Sequence, residues 1–265
     1  MITSAGNARV RAAIQLKQKA RARREMGAFL TEGVKMFLEA PEEQIREIYV
    51  SESFSCQDQE LKRAVTEKME RLPYEMVSEP VFQKMSDTCT PQGILCVMEA
   101  QHYVPADLLK KEAPLLLLLE NIQDPGNLGT MMRAGEGAGI DGLILSRDTA
   151  DIYNPKTVRA TMGSIYRVPF LYAQDFGAMM ARLKEAGICI YAAHLQGETD
   201  YDRCDFHGGS AFLIGNEAKG LTGGTAARAD RYMKIPMAGE VESLNAGIAA
   251  AILMYEAARQ RRRQR

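Results

Sequence analysis

The sequence predicts an α/β protein whose larger part is a mostly parallel sheet covered by helices on both faces. Two observations carry this expectation. Short apolar segments of strand length ("LLLLLE", "GLILS", "RVPFLYA", "ICIYAAHL", "AFLIGN", "YMKIPM") alternate with helix-like segments through the second half of the chain. The first of these is apolar at every strand position, as expected of a strand buried on both faces. In such sheets ligands bind beyond the carboxyl ends of the strands.

Taken in order, the chain opens with a basic helix-like segment, Asn7 to Glu25. Val10, Ile14 and Leu16 supply apolar surface there, and Arg9, Arg11, Lys17, Lys19, Arg21, Arg23 and Arg24 supply charge. Strand candidates "IREIYVS" and "GILCVMEA" follow, with helical stretches "CQDQELKRAVTEKMERL" and "EPVFQKMSD" between them. Residues 1–100 thus read as a small α/β module. Residues 101–113, with Pro105 inside and Pro114 directly after, show little pattern and read as a linker, and 114–265 form the second domain. Its helical stretches are "NLGTMMRAGEGAG", "NPKTVRATMG", "DFGAMMARLKEAG" and "SLNAGIAAAILMYEAARQRRR".

A chain of 265 residues with 46% hydrophobic and 25% charged residues can bury a proper core. Its formal net charge of −1 means that any nucleic-acid signal has to be local. Five cysteines form no C-x-x-C pair and three histidines are scattered among them, which reads as reduced, buried thiols with no zinc site. The first 25 residues are too polar for a signal peptide, and no apolar run approaches the roughly 20 residues of a membrane span. A soluble, cytoplasmic protein is expected.

Three stretches carry chemistry. In "ENIQDPGNLGTMMRAGEGAG", a strand runs into a Pro-Gly turn and a helix leaves it. No Lys-Ser follows Gly126 or Gly129, so it is not a phosphate loop. The G-x-G-x-x-G match at 137–142 falls after the helix and before a strand, the reverse of the dinucleotide context, which disfavours a nicotinamide oxidoreductase. Asn127 stands where a helix N-cap would be, and Arg133 is the lone basic residue on a helix of small residues. Read alone, this loop is a capped helix with a solvated arginine sooner than a site. In "FLIGNEAKGL" a strand ends in Gly215 before polar Asn216 and Glu217, a pattern that an ordinary strand-to-helix turn shares. In "IPMAGEVESLNAGIAAAILMYE", Ser243 is a plausible N-cap, and helix N-termini suit oxygen-rich ligands. Ile248, Ile252 and Tyr255 follow helical spacing and read as core.

These three stretches, in this order and spacing, resemble the signature motifs of the SpoU (TrmH) family of AdoMet-dependent RNA ribose 2′-O-methyltransferases, of the SPOUT class. The first domain resembles the small RNA-binding module that many members carry. The resemblance implies a parallel sheet with a C-terminal trefoil knot, S-adenosyl-L-methionine as cofactor, no metal, RNA as substrate and a homodimer. It implies active-site roles for Asn127, Arg133, Glu217, Ser243 and Asn245. It implies a cofactor pocket lined by Gly215, Ile235 and Leu244, with Leu195, Gly197 and Met237 nearby. The two-domain layout favours ribosomal over transfer RNA. A non-catalytic RNA-binding or ribosome-assembly factor is the rival of a different class. Phosphate contacts are expected from the N-terminal basic segment and from the tail, Arg259 to Arg265.

Overall fold

The computed structural model describes residues 1–195 and 197–262, and the chain divides into two compact units. The first comprises residues 1–101 together with 151–166, and the second 102–150 together with 167–265.

In the first unit, strands β1 (Ala28–Glu32), β2 (Ile45–Ser51), β3 (Glu75–Val77) and β4 (Ile94–Glu99) form a sheet in the order β1-β4-β2-β3. Only the β2–β3 pair in it is parallel. The basic N-terminal segment is two helices rather than one: α1 (Ala8–Gln18) and α2 (Ala20–Met26) are separated by Lys19 in an extended conformation. Val10, Ala13 and Leu16 on α1 recur at helical spacing. They pack with Leu30, Tyr49, Leu95 and the buried face of a later helix, Val81, Phe82 and Met85. β1 had no strand signal in the sequence, because four of its five residues are buried and no alternation shows.

The second unit holds, among the described residues, a seven-stranded all-parallel sheet. Its strands are β5 (Leu115–Leu119), β6 (Gly142–Ser146), β7 (Phe170–Ala173), β8 (Cys189–Ala193), β9 (Thr199–Asp200), β10 (Ser210–Ile214) and β11 (Arg231–Lys234). Their order is β7-β6-β5-β10-β8-β11-β9. All five leucines of β5 are buried, so both faces of the sheet are covered. From β5 the chain moves outward through β6 and β7, then crosses to β8, leaving a gap that β10 fills. The β5–β10 border is therefore where the strand order reverses, the place where such sheets open a crevice.

Two features depart from the sequence-based division. Within the 101–113 linker, Pro105–Leu108 is a short helix, and Leu108 is buried in the second unit's core. Residues 151–166, read as part of the second domain, cluster with the first unit instead. Tyr153 stacks on Phe29 at 4.3 Å, Asp151 pairs with the buried Arg23 at 2.7 Å, and the Tyr166 hydroxyl donates to Met36 O at 3.1 Å. These partners lie over a hundred residues away, so chain order alone could not assign the segment.

Candidate active site

Parallel strands release their loops at one edge of the sheet. β5 and β10 are neighbours, so the loops that follow them, which carry the first two motifs, emerge side by side. The helix of the first motif spans Pro125–Ala138. Its N-cap is Asp124, not Asn127: Asp124 Oδ1 accepts from Asn127 N at 2.8 Å. Proline at the first helical position, with its fixed φ, starts the helix three residues earlier than the asparagine suggested. That shift frees the Asn127 side chain for other partners.

Those partners are the other two motifs. Asn127 Nδ2 donates to Glu217 Oε1 at 3.0 Å, and Asn245 Nδ2 donates to Asn127 Oδ1 at 2.9 Å. Glu217 also accepts from the backbone N–H of Gln123 and of Asp124, both at 3.1 Å. Burial pushes the Glu217 carboxyl upward, but the hydrogen bonds from Asn127, Gln123 and Asp124 outweigh it and hold the group below the usual carboxylate range. Gln123, Asp124, Asn127, Asn216, Glu217, Ala218 and Asn245 line one open cleft.

The third motif feeds the helix Ala246–Arg262. Here too the cap moves. Asn245 Oδ1 accepts from Gly247 N at 2.9 Å and Ile248 N at 3.2 Å, so Asn245 is the cap rather than Ser243. Ser243 is exposed and, among the described residues, makes no hydrogen bond. Ile248 and Tyr255 are not core: they are 53% and 46% exposed, and Ile252 is half-buried beside them. Leu253, Met254 and Ala257 occupy the buried face instead.

Arg133 stands on the exposed face of the first-motif helix with Thr130 and Gly137, about 9 Å along the axis from Asn127. Among the described residues it has no hydrogen-bond or ion-pair partner. The remaining sequence-named residues follow strand ends at the same edge: Gly215 after β10, Leu195 and Gly197 after β8, Ile235 and Met237 after β11. Gly215 and Gly197 permit close backbone passage. A Cβ at Gly215 would collide with the Gly220–Leu221 peptide, and one at Gly197 would lie 2.8 Å from Lys234 N. Ile235, Met237 and Leu244 are half-buried, whereas Leu195 is 66% exposed.

Sequence reading missed Gln123 and Asp124 as partners of Glu217; "QDP" after a buried strand was the available signal. It also overestimated the free charge of the N-terminal segment. Arg23, 5% exposed, is held by Asp151 and by Leu16 O at 2.6 Å. Arg9 pairs with Glu47 and Glu75, Arg21 with Glu25, and Lys17 donates to Lys84 O and Ser86 O. Arg11, Lys19 and Arg24 remain exposed, with no partner among the described residues. In the tail, Arg259 pairs with Glu256. Arg261 donates to Phe206 O, Gly208 O and Ala113 O at 2.7–2.9 Å, a structural clamp on the entry to β5. Arg263 to Arg265 lie outside the described residues.

Comparison with known proteins fits this geometry. The model of the SpoU rRNA methylase family matches residues 114–255, and that of an MRM3-like substrate binding domain matches 7–96. The chain is 36% identical over 180 residues to the 23S rRNA (guanosine(2553)-2′-O)-methyltransferase RlmP of Bacillus subtilis, covering 68% of this chain and 70% of that protein. The SpoU methyltransferase AviRb of Streptomyces viridochromogenes, solved with AdoMet, superposes with a TM-score of 0.85 at 27% identity, over 96% of this chain and 98% of that one. An AdoMet-bound rRNA methyltransferase of Sinorhizobium meliloti gives 0.82 at 29% identity over 97% of both chains. This chain belongs to the SpoU rRNA methylase family. It is an RNA methyltransferase. Among the described residues no helix is long and apolar enough to cross a membrane, and no group of His, Cys, Asp or Glu is arranged to hold a metal.

Proposed function

We propose that this enzyme moves a methyl group from S-adenosyl-L-methionine to a ribose 2′-hydroxyl, in ribosomal RNA rather than transfer RNA. The observation that carries the reading is the Asn245–Asn127–Glu217 hydrogen-bond chain, which joins the three motifs at the β5–β10 border. The names of the Bacillus and Sinorhizobium relatives support ribosomal RNA, and the latter likeness extends over both units. The first unit, matched by a substrate-binding model, is the proposed RNA-binding part, and the 114–265 region the methyl-transfer part.

The residues present suit the cofactor in kind. Ile235, Met237 and Leu244 offer half-buried apolar surface to a purine. Between Pro236 and Leu244 no backbone group forms a hydrogen bond among the described residues, so donors and acceptors are available beside them. Gly215 and Gly197 complete the proposed pocket, with Leu195 at its rim. S-adenosylmethionine, when bound, supplies a methyl on a sulfonium, an already activated leaving group. The protein's task is then alignment, worth ~7–11 kcal/mol when translational freedom is lost beforehand, and management of one proton.

Asn127 and Asn245 each keep one amide hydrogen beyond the chain they form, and with the Ser243 hydroxyl they orient the ribose. Glu217, held as an anion by three N–H donors, fastens loops rather than accepting the proton. The Arg133 guanidinium cannot lose a proton at neutral pH; its part is to stabilise negative charge growing on the 2′-oxygen.

The same reading includes a trefoil knot, a homodimer and a cytoplasmic setting. β10 inserted between β5 and β8, with β11 beyond β8, supports the knot. Ile248 and Tyr255 are exposed and, with half-buried Ile252 between them, form an apolar stripe that a second copy would cover, Tyr255 lying over Gly137, one turn from Arg133. Five free cysteines suit a reducing compartment, although only Cys96 and Cys204 are buried as the sequence suggested and Cys89 is exposed. Mapping 2′-O-methyl groups in ribosomal and transfer RNA, with and without the protein, tests the function. The expected result is one mark lost from ribosomal RNA. A mark lost only from transfer RNA, or no binding of S-adenosylmethionine in calorimetry, would overturn the reading.

A further inference from the structure

Glu120 follows β5 directly and is 8% exposed. Its N–H donates to Ile214 O at 2.9 Å, extending the β5–β10 ladder past the last strand residue. Its carboxylate accepts from Thr222 N at 2.8 Å, from Thr222 Oγ1 at 2.7 Å and from Thr225 Oγ1. All three bonds go to one segment, the outgoing end of the second motif. The ingoing end is held next door: Asn216 Nδ2 donates to Asn121 O at 2.8 Å. Between these pins the chain folds back on itself, Asn216 and Gly220 exchanging both backbone hydrogen bonds. Glu217 projects from inside that fold to Gln123, Asp124 and Asn127. Gly215 lies against its returning limb.

A buried carboxylate is costly unless its partners compensate it, and packing alone would be met by an apolar residue. We infer that Glu120 is a positioning residue for methyl transfer: through Thr222 and Thr225 it sets the place of the 215–222 segment, and with it Glu217 and the Gly215 end of the cofactor pocket. The inference deepens the S-adenosylmethionine reading and rests on it.

The test uses the full chain and three variants, Glu120→Ala, Glu120→Gln and Thr225→Val. The affinities for S-adenosylmethionine and for RNA are measured separately, well below each variant's melting temperature. Glu120→Ala leaves the Thr222 N–H unpaired and raises the S-adenosylmethionine Kd about tenfold or more, with RNA affinity unchanged. Glu120→Gln can turn its carbonyl to Thr222 N–H and its amide to the two hydroxyls, and so recovers to within about threefold. Thr225→Val, which keeps the residue's shape, gives a rise of about two- to fivefold and serves alone if Glu120→Ala does not fold. A wild-type Kd in folded Glu120→Ala, or in Thr225→Val when that variant stands alone, overturns the inference. So does a Glu120→Gln no better than Glu120→Ala. Failure of the wild-type protein to bind S-adenosylmethionine would instead refute the function proposed above.

Discussion

Asn127→Asp changes almost no shape and reverses one hydrogen-bond polarity. The contact with Asn245 survives, because Oδ1 still accepts. The Nδ2 that donates to Glu217 Oε1 at 3.0 Å becomes an oxygen facing a carboxylate. Two unit charges at that spacing repel by ~1.4 kcal/mol in water and ~5.5 kcal/mol at an effective dielectric constant of 20. Glu217 is exposed, so the lower half of that range applies, about 1.5–3 kcal/mol, and the lost charge-assisted bond adds about 1.5 kcal/mol. In the wild type the folded state holds the Glu217 carboxyl below its ordinary value. Its contribution is complete above the ordinary glutamate range and fades only as pH falls through the folded value. In the variant the sign inverts. The like-charged pair binds a proton more readily when folded, so the penalty is greatest at pH 8 and shrinks towards pH 5. Calorimetric melting of both proteins across that interval, paired with S-adenosylmethionine titration, reads the effect. A penalty equal at both ends, or absent at both, would refute the hydrogen-bond polarity assigned to this chain.

Three further outcomes are expected. Arg133→Ala lowers single-turnover methyl transfer by about 10²–10³-fold while the S-adenosylmethionine Kd stays within about twofold, and Arg133→Lys, lacking the planar fork, stays low; normal turnover in Arg133→Ala would remove Arg133 from the chemistry, and normal turnover in Arg133→Lys would show that its charge suffices without the fork. Replacing Arg11, Lys19 and Arg24 together by alanine flattens the salt dependence of RNA binding by about two units of logarithmic slope and barely moves the melting temperature. Arg23→Ala should do the opposite, because its partners are Asp151 and two carbonyls within the fold. If the proposed homodimer forms through the stripe, Ile248→Glu leaves a monomer in sedimentation where the unaltered protein is dimeric; an unchanged sedimentation coefficient counts against the stripe as the dimer surface.

Six of the seven strands of the parallel sheet were legible in the sequence, since "LLLLL" and its successors are short apolar runs; the two-residue β9, Thr199–Asp200, carries no such run. So were Asn127, Glu217 and Asn245 as residues of interest, because polar side chains beside strand ends and glycines are readable locally. Their wiring was not. Which residue caps a helix depends on where backbone turns begin: Asp124 displaced Asn127, and Asn245 displaced Ser243. Helical spacing put Ile248 and Tyr255 on one stripe correctly, but spacing cannot say which stripe faces inward.

The amino-acid order thus determined the α/β class, the resemblance carried by three motifs and the residue types available to a methyl-transfer site, all of which follow from short-range pattern. Tertiary structure alone decided that β10 lies between β5 and β8, that Glu120 reaches across a hundred residues to Thr222, that Arg23 is spent on Asp151, and that residues 151–166 join the first unit. Each of these is a pairing between distant positions, set by which buried donor meets which acceptor once the chain has closed, and local periodicity holds no record of it.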